Sequence, residues 1–140
     1  PASYGSPQRV AGGIDHRKLA LLLAILEKRC GYPMSTHDVF VSLASGLKVN
    51  EPALDLPVMT AIVSSLLNKP VNRHSVVIGE VGLSGELRGV TLCDRRVSEA
   101  AKLGFRSAFV PNANKSQTHA PGIQVTGVGE IQTALDMILG

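Results

Sequence analysis

Tryptophan is absent from this chain and aromatic residues make up only 4% of its 140 residues. That scarcity weakens any single-stranded nucleic-acid reading built on base stacking. It also leaves the core to Leu, Val, Ile and Ala. Cysteine is nearly absent too: Cys30 and Cys93 lie far apart and form no CxxC pair. Two such thiols read as reduced, structural residues of a cytoplasmic protein rather than a disulfide framework. The four histidines (His16, His37, His74, His119) are scattered, so no zinc-ligand spacing exists. No apolar run is long enough to span a bilayer, the longest being Leu19 to Leu26, and no signal peptide is visible. The expectation is a cytoplasmic protein without membrane contact. The first residue is Pro rather than Met, which reads as a fragment of a longer polypeptide or a processed chain.

Phosphate-binding and nucleophile motifs are missing as well. There is no GxxxxGK[ST], and Gly79, Gly82 and Gly85 sit in a strand–turn–strand context rather than at a strand-to-helix turn. Ser42, Ser45, Ser64 and Ser65 lie near the turn "LKVNEPALD" (47–55), but none has a GxSxG setting. No cofactor is expected within these residues.

What is present is ordinary for one globular domain. Apolar residues form 44% and charged residues 18%, with a net charge of +3 and a pI of about 9.1. That balance tolerates an anionic partner without demanding one. Residues 1–13, rich in Pro, Gly and Ser, read as a linker or arm, and 14–140 as the domain. Asp15 can cap a helix from Arg17 to Cys30 that Gly31 closes. Strands are expected at 38–43 and 47–49, in "SVVIGEVGL", "GELRGV", "SAFVP" and "IQVTGV". Helices are expected from Asp55 to Leu67, Asp94 to Leu103 and Glu130 to Leu139, with "NANKSQTHAPG" a polar loop between strands. Pro57 must fall in a first turn, where its missing N–H is harmless. Mixed helices and strands without strict alternation suggest an α+β layer fold. The pair Glu51 and Asp55 could do acid–base work, but acids are also favoured at a helix N-terminus by its dipole. Basic residues form small groups, Arg17/Lys18, Lys28/Arg29 and Arg95/Arg96 with Lys102. Arg95, Glu99 and Lys102 share the spacing of a solvated helix face.

Three stretches together carry a family resemblance: "DVFVSLASGLKVNEPALDLPVMTAIVSSLLNKPV", "GEVGLSGELRGV" and "RVSEAAKLGFRSAFVPNAN". They resemble the C-terminal domain of the bacterial RadA (Sms) DNA repair family, which is similar to the proteolytic domain of Lon. The resemblance runs from about Arg9 to the end. Lon proteases carry DGPSAG at the turn, its serine the nucleophile. The matching residues here are Asn50-Glu51-Pro52-Ala53-Leu54-Asp55, so Ala53 stands at the nucleophile position. An ungapped count places Arg96 at the position of the catalytic lysine. A guanidinium stays protonated near neutrality and makes a poor base. Glu51 and Asp55 replace the two family glycines and are expected to add bulk and negative charge where a substrate backbone would approach. Pro57 departs from the small residue usual in the family.

The resemblance implies a non-catalytic, Lon-like scaffold of an ATP-driven branch-migration motor in homologous recombination. It implies a homo-oligomeric ring, hexameric by resemblance, recombination-protein partners, and ATP, Mg and Zn bound elsewhere in the parent protein. Sequence-independent contact with DNA would fall to Arg9, Arg17 and Arg96, repeated around the ring. The alternatives are an active Ser/Lys peptidase using another serine, and a protein-interaction module without DNA contact.

Overall fold

A computed structural model describes residues 9–12, 15–34, 39–42 and 51–140. The chain divides into two compact units, Pro1–Glu51 and Pro52–Gly140. The first eight residues of the expected arm, and the strand expected at 47–49, lie outside the described residues.

The first unit is a β–α–β element. Strands β1 (Arg9–Gly12) and β2 (Val39–Ser42) pair in parallel, Arg9 opposite Val39 and Gly12 opposite Ser42. Parallel neighbours need a long crossover, and α1 (His16–Cys30) supplies it. The last residues of the segment read as an arm therefore form a strand. Asp15 accepts a hydrogen bond from the Arg17 N–H at 3.0 Å, and Gly31 closes the helix in the left-handed conformation at φ 77°. Leu19, Leu22, Leu23, Ile25 and Leu26 are buried, the i, i+3, i+4, i+7 stripe of an amphipathic helix.

The second unit begins with a 3-10 turn at Pro52–Leu54 that runs into α2 (Asp55–Leu67). Pro57 is the third residue of α2, within the first turn. Next come β3 (Ser75–Val77), β4 (Glu80–Val81), β5 (Leu87–Arg88), α3 (Cys93–Lys102) and β6 (Ser107–Pro111). The unit ends with α4 (Asn112–Lys115), β7 (Gln124–Val128) and α5 (Ile131–Leu139). Strands β3, β6 and β7 form a parallel sheet in the order β3-β6-β7, and β4 and β5 a small antiparallel ribbon. The fold is α+β.

Two expectations need correction. "SVVIGEVGL" is not one strand: the chain leaves the sheet after Val77, and β4 pairs instead with β5. At the break the Ile78 N–H donates to the Phe109 carbonyl, whereas the next amide, Gly79, donates to the Ala53 carbonyl, each at 3.0 Å. The polar loop "NANKSQTHAPG" opens with the single helical turn α4. The Asn114 side chain there binds both backbone groups of Val90, accepting from its N–H at 2.9 Å and donating to its carbonyl at 3.0 Å.

One core cluster joins Ala53, Ile78, Cys93, Val97, Ala108 and Val110. In the same unit α2 buries Leu56, Val58, Met59 and Val63, and α5 buries Ile131, Ala134, Leu135 and Ile138. Glu130 caps α5 by accepting from the Thr133 N–H and hydroxyl.

Candidate functional site

The resemblance directs attention to the Pro52–Asp55 turn and helix α3. The fold brings these together. Ala53 is 3% exposed and packs in the cluster with Cys93 and Val97, the α3 residues three before and one after Arg96, both buried in the core.

The turn is laced to residues 79–81 by three hydrogen bonds. The Gly79 N–H donates to the Ala53 carbonyl and the Leu56 N–H to the Gly79 carbonyl, each at 3.0 Å. The Val81 N–H donates to Asp55 Oδ2 at 3.0 Å. The first N–H groups of a helix have no partner within the helix and are the groups that would face an anion. Here the Leu56 N–H is already engaged with protein.

Asp55 takes the helix-start position expected of it but is not a displayed charge. It occupies the first turn of α2, as the dipole argument requires, but its side chain is 2% exposed and bonded to β4. It therefore does not display negative charge where a substrate would approach; burial of a polar group is tolerable because the Val81 amide pairs with it. Glu51 is half-buried beside the turn.

Arg96 is half-buried, and its Nε donates to the Thr91 carbonyl at 3.1 Å, turning the side chain back over the start of its own helix. The residue just before α3, Leu92, has φ 58°, an unusual left-handed conformation for a branched side chain. Asn114 holds the adjoining strand end through Val90. Burial pushes the Cys93 thiol up, against the opposing pulls of a Thr118 hydrogen bond and the Arg96 charge. A thiol held in its protonated form is a poor nucleophile.

Among the serines weighed, Ser64 donates its hydroxyl to the Lys69 carbonyl and closes α2. Ser42 ends β2, and Ser45 lies outside the described residues. Of the three arginines expected to meet DNA, Arg9 begins β1 and Arg17 is exposed in the first turn of α1, both in the first unit. Arg96 belongs to the second. Cys93 is a buried free thiol. Among the described residues no helix is long and apolar enough to cross a membrane, and no cluster of His, Cys, Asp and Glu could hold a metal ion.

Sequence reasoning missed Asn114, read as loop, and a group of basic residues at one end of the parallel sheet: Arg73, His74 and Arg106. The signal available for the second was negative. No acidic residue occurs in 68–75, 104–107 or 121–124.

A family model described as subunit ChlI of Mg-chelatase matches residues 16–114, well over half of the chain, and the chain belongs to that family. Over its whole length it is also similar to the C-terminal region of proteins named DNA repair protein RadA. Identity is 46% with RadA of Halalkalibacterium halodurans, over 100% of this chain and 31% of the relative. It is 45% with RadA of Bacillus subtilis, again over 100% of this chain and 31% of the relative. With RadA of Escherichia coli it is 46%, over 94% of this chain and 29% of the relative. The chain thus spans about 31% of the length of the first two relatives.

Proposed function

We propose that this chain is a non-catalytic, Lon-like domain of a RadA-type DNA repair motor, contributing to ring assembly and to sequence-independent contact with DNA. The observation that carries the reading is the state of the turn. Ala53 stands at the nucleophile position with its methyl group in the apolar cluster, and Arg96 stands at the base position with its Nε donating to a carbonyl. The dyad needs a hydroxyl and an amine that can lose its proton; this pair supplies neither. The RadA names of the relatives support the repair context. In this reading the protein works in the cytoplasm, and recombination proteins are partners of the longer chain. ATP, Mg and Zn bind in segments of the longer protein outside these residues, where they supply the motor's chemistry and a structural site.

A second reading, a protein-interaction module, draws support from large exposed side chains. Leu83, Leu92 and Leu103 are 65%, 60% and 78% exposed. Sedimentation with and without duplex DNA separates the two: the proposed function predicts co-sedimentation with DNA, the interaction module none. For the non-catalytic claim, the chain is incubated with fluorogenic peptides and an irreversible serine-directed probe. The expected result is no hydrolysis and no adduct. Labelling at any serine would establish a peptidase.

A further inference from the structure

The ion pairs of the second unit recorded among the described residues lie on the β4–β5 ribbon and on α3. Arg88 meets Glu86 at 3.0 Å and Glu80 at 4.0 Å, and Lys102 meets Glu99 at 3.6 Å. The N-terminal end of the parallel sheet gathers basic residues with no acidic residue in the segments 68–75, 104–107 and 121–124. Arg73, His74 and Arg106 are all exposed there, and none forms an ion pair with a carboxylate among the described residues.

Backbone geometry gathers these residues. The His74 carbonyl accepts from the N–H groups of Arg106 at 2.8 Å and Ser107 at 3.3 Å, so the lead-ins to β3 and β6 lie side by side. Adjacent strands run about 4.8 Å apart. The Arg106 carbonyl in turn accepts from the Gln124 N–H at 2.9 Å, which brings the start of β7 alongside. At the same edge the Ser75 and Ser107 hydroxyls hydrogen-bond at 2.7 Å.

The loop that carries Arg73 is held rather than loose. Asn68 ends α2 at φ 54°, the Lys69 N–H donates to the Ser64 carbonyl at 3.0 Å, and the Asn72 side chain accepts from the His74 N–H at 2.8 Å.

Cations gathered without counter-charge repel one another, a cost that a bound polyanion removes. Arginine is the side chain suited to phosphate, through paired N–H donors in a fixed fork. The edge carries no recognition helix, so nothing in it would distinguish base sequence. We infer that the N-terminal edge of the β3-β6-β7 sheet is a phosphodiester-binding surface, with Arg73 and Arg106 as its phosphate contacts and His74 between them. This rests on the reading of the chain as a DNA-associated domain, and it places the contact on residues other than Arg9, Arg17 and Arg96.

The test is fluorescence anisotropy of the full 140-residue chain with two short duplexes of unrelated sequence, across about 50 to 200 mM salt, where phosphate contacts make log K fall linearly with log salt. Arg73→Gln with Arg106→Gln should weaken binding about tenfold or more near 100 mM and flatten the slope by about two, equally for both duplexes. Lys102→Gln should leave slope and affinity as they are, and thermal melting checks that each variant is folded. If the unmodified chain binds but the double variant keeps both affinity and slope, the surface is misplaced while the DNA reading survives. Affinity lost at an unchanged slope overturns the phosphate chemistry. No salt-dependent binding by the unmodified chain overturns the DNA reading and this surface together.

Discussion

The Pro52–Asp55 turn and the N-terminal edge of the parallel sheet belong to the same unit, and they use polar groups in opposite ways. At the turn, a carboxylate, a helix-terminal N–H and a carbonyl are spent on the fold, bonded to Gly79 and Val81. Ala53 fills the remaining space with a methyl group in the core. At the sheet edge, Arg73, His74 and Arg106 face outward with no carboxylate partner among the described residues. The place that a motif singles out is closed by packing. The place that no motif marks keeps its charge on display. Residue type at a matched position thus says less about present chemistry than whether the group still has bonding capacity to offer.

The largest effect should come from removing the bond that ties the turn to β4. Asp55→Ala leaves the buried Val81 N–H without its acceptor, and a buried hydrogen bond to a charged group is worth about 2–3 kcal/mol. Urea denaturation should show a loss of that size, with Asp55→Asn losing less because its amide oxygen can still accept. A loss within a few tenths of a kcal/mol for Asp55→Ala would mean that the carboxylate is not structural, and the contrast with the sheet edge would break.

Ala53→Ser comes next. A hydroxyl placed among Ile78, Cys93, Val97 and Val110 meets an apolar environment, at a cost of about 1–3 kcal/mol. Denaturation should show the loss, and a fluorogenic peptide assay should show no cleavage. Unchanged stability would indicate that the new hydroxyl finds a polar partner and that the pocket is less closed than its packing implies.

Asn114→Ala removes both side-chain bonds to Val90 and should cost about 1–2 kcal/mol. Faster amide hydrogen exchange at Val90, in the segment leading to Arg96, would localise the effect. Exchange rates unchanged there would remove Asn114 from any role in holding that segment.

The smallest effect concerns the β4–β5 ribbon. The Glu86 carboxyl is held below its ordinary value by its own backbone N–H and by Arg88, with the Ser84 N–H adding to both. A carboxyl whose folded pKa is depressed adds stability that is present above its unfolded value near 4.5 and is lost as pH falls through the lower folded value. Glu86→Gln should therefore lower the melting temperature slightly at neutral pH, and the difference should vanish in acid below that window. A difference that grows on acidification would reverse the sign and disprove the assignment.

How much of this was legible in the sequence depended on range. Asp15 and Gly31 bracket α1 through local signals, and both act as caps where the sequence places them. Pro57 sits in the first turn of α2 for the same local reason. The split of "SVVIGEVGL" was not legible, because it depends on Phe109 and Ala53, both distant in sequence from Ile78 and Gly79. Asn114 looks like loop until Val90 is brought beside it. Asp55 was placed correctly at a helix start, but its partner is an amide on β4 rather than the dipole alone. The candidate positions Ala53 and Arg96 came from resemblance. The cationic edge needed the register of β3 against β6.

The central claim is that packing and the loss of a proton acceptor have closed the turn to chemistry. It is tested most directly by the double variant Ala53→Ser with Arg96→Lys, incubated with an irreversible serine-directed probe and read by intact-mass spectrometry. The account predicts a folded protein with no adduct, because a hydroxyl at position 53 would point into the core cluster beside Cys93 and Val97. Stoichiometric labelling at position 53 would contradict it.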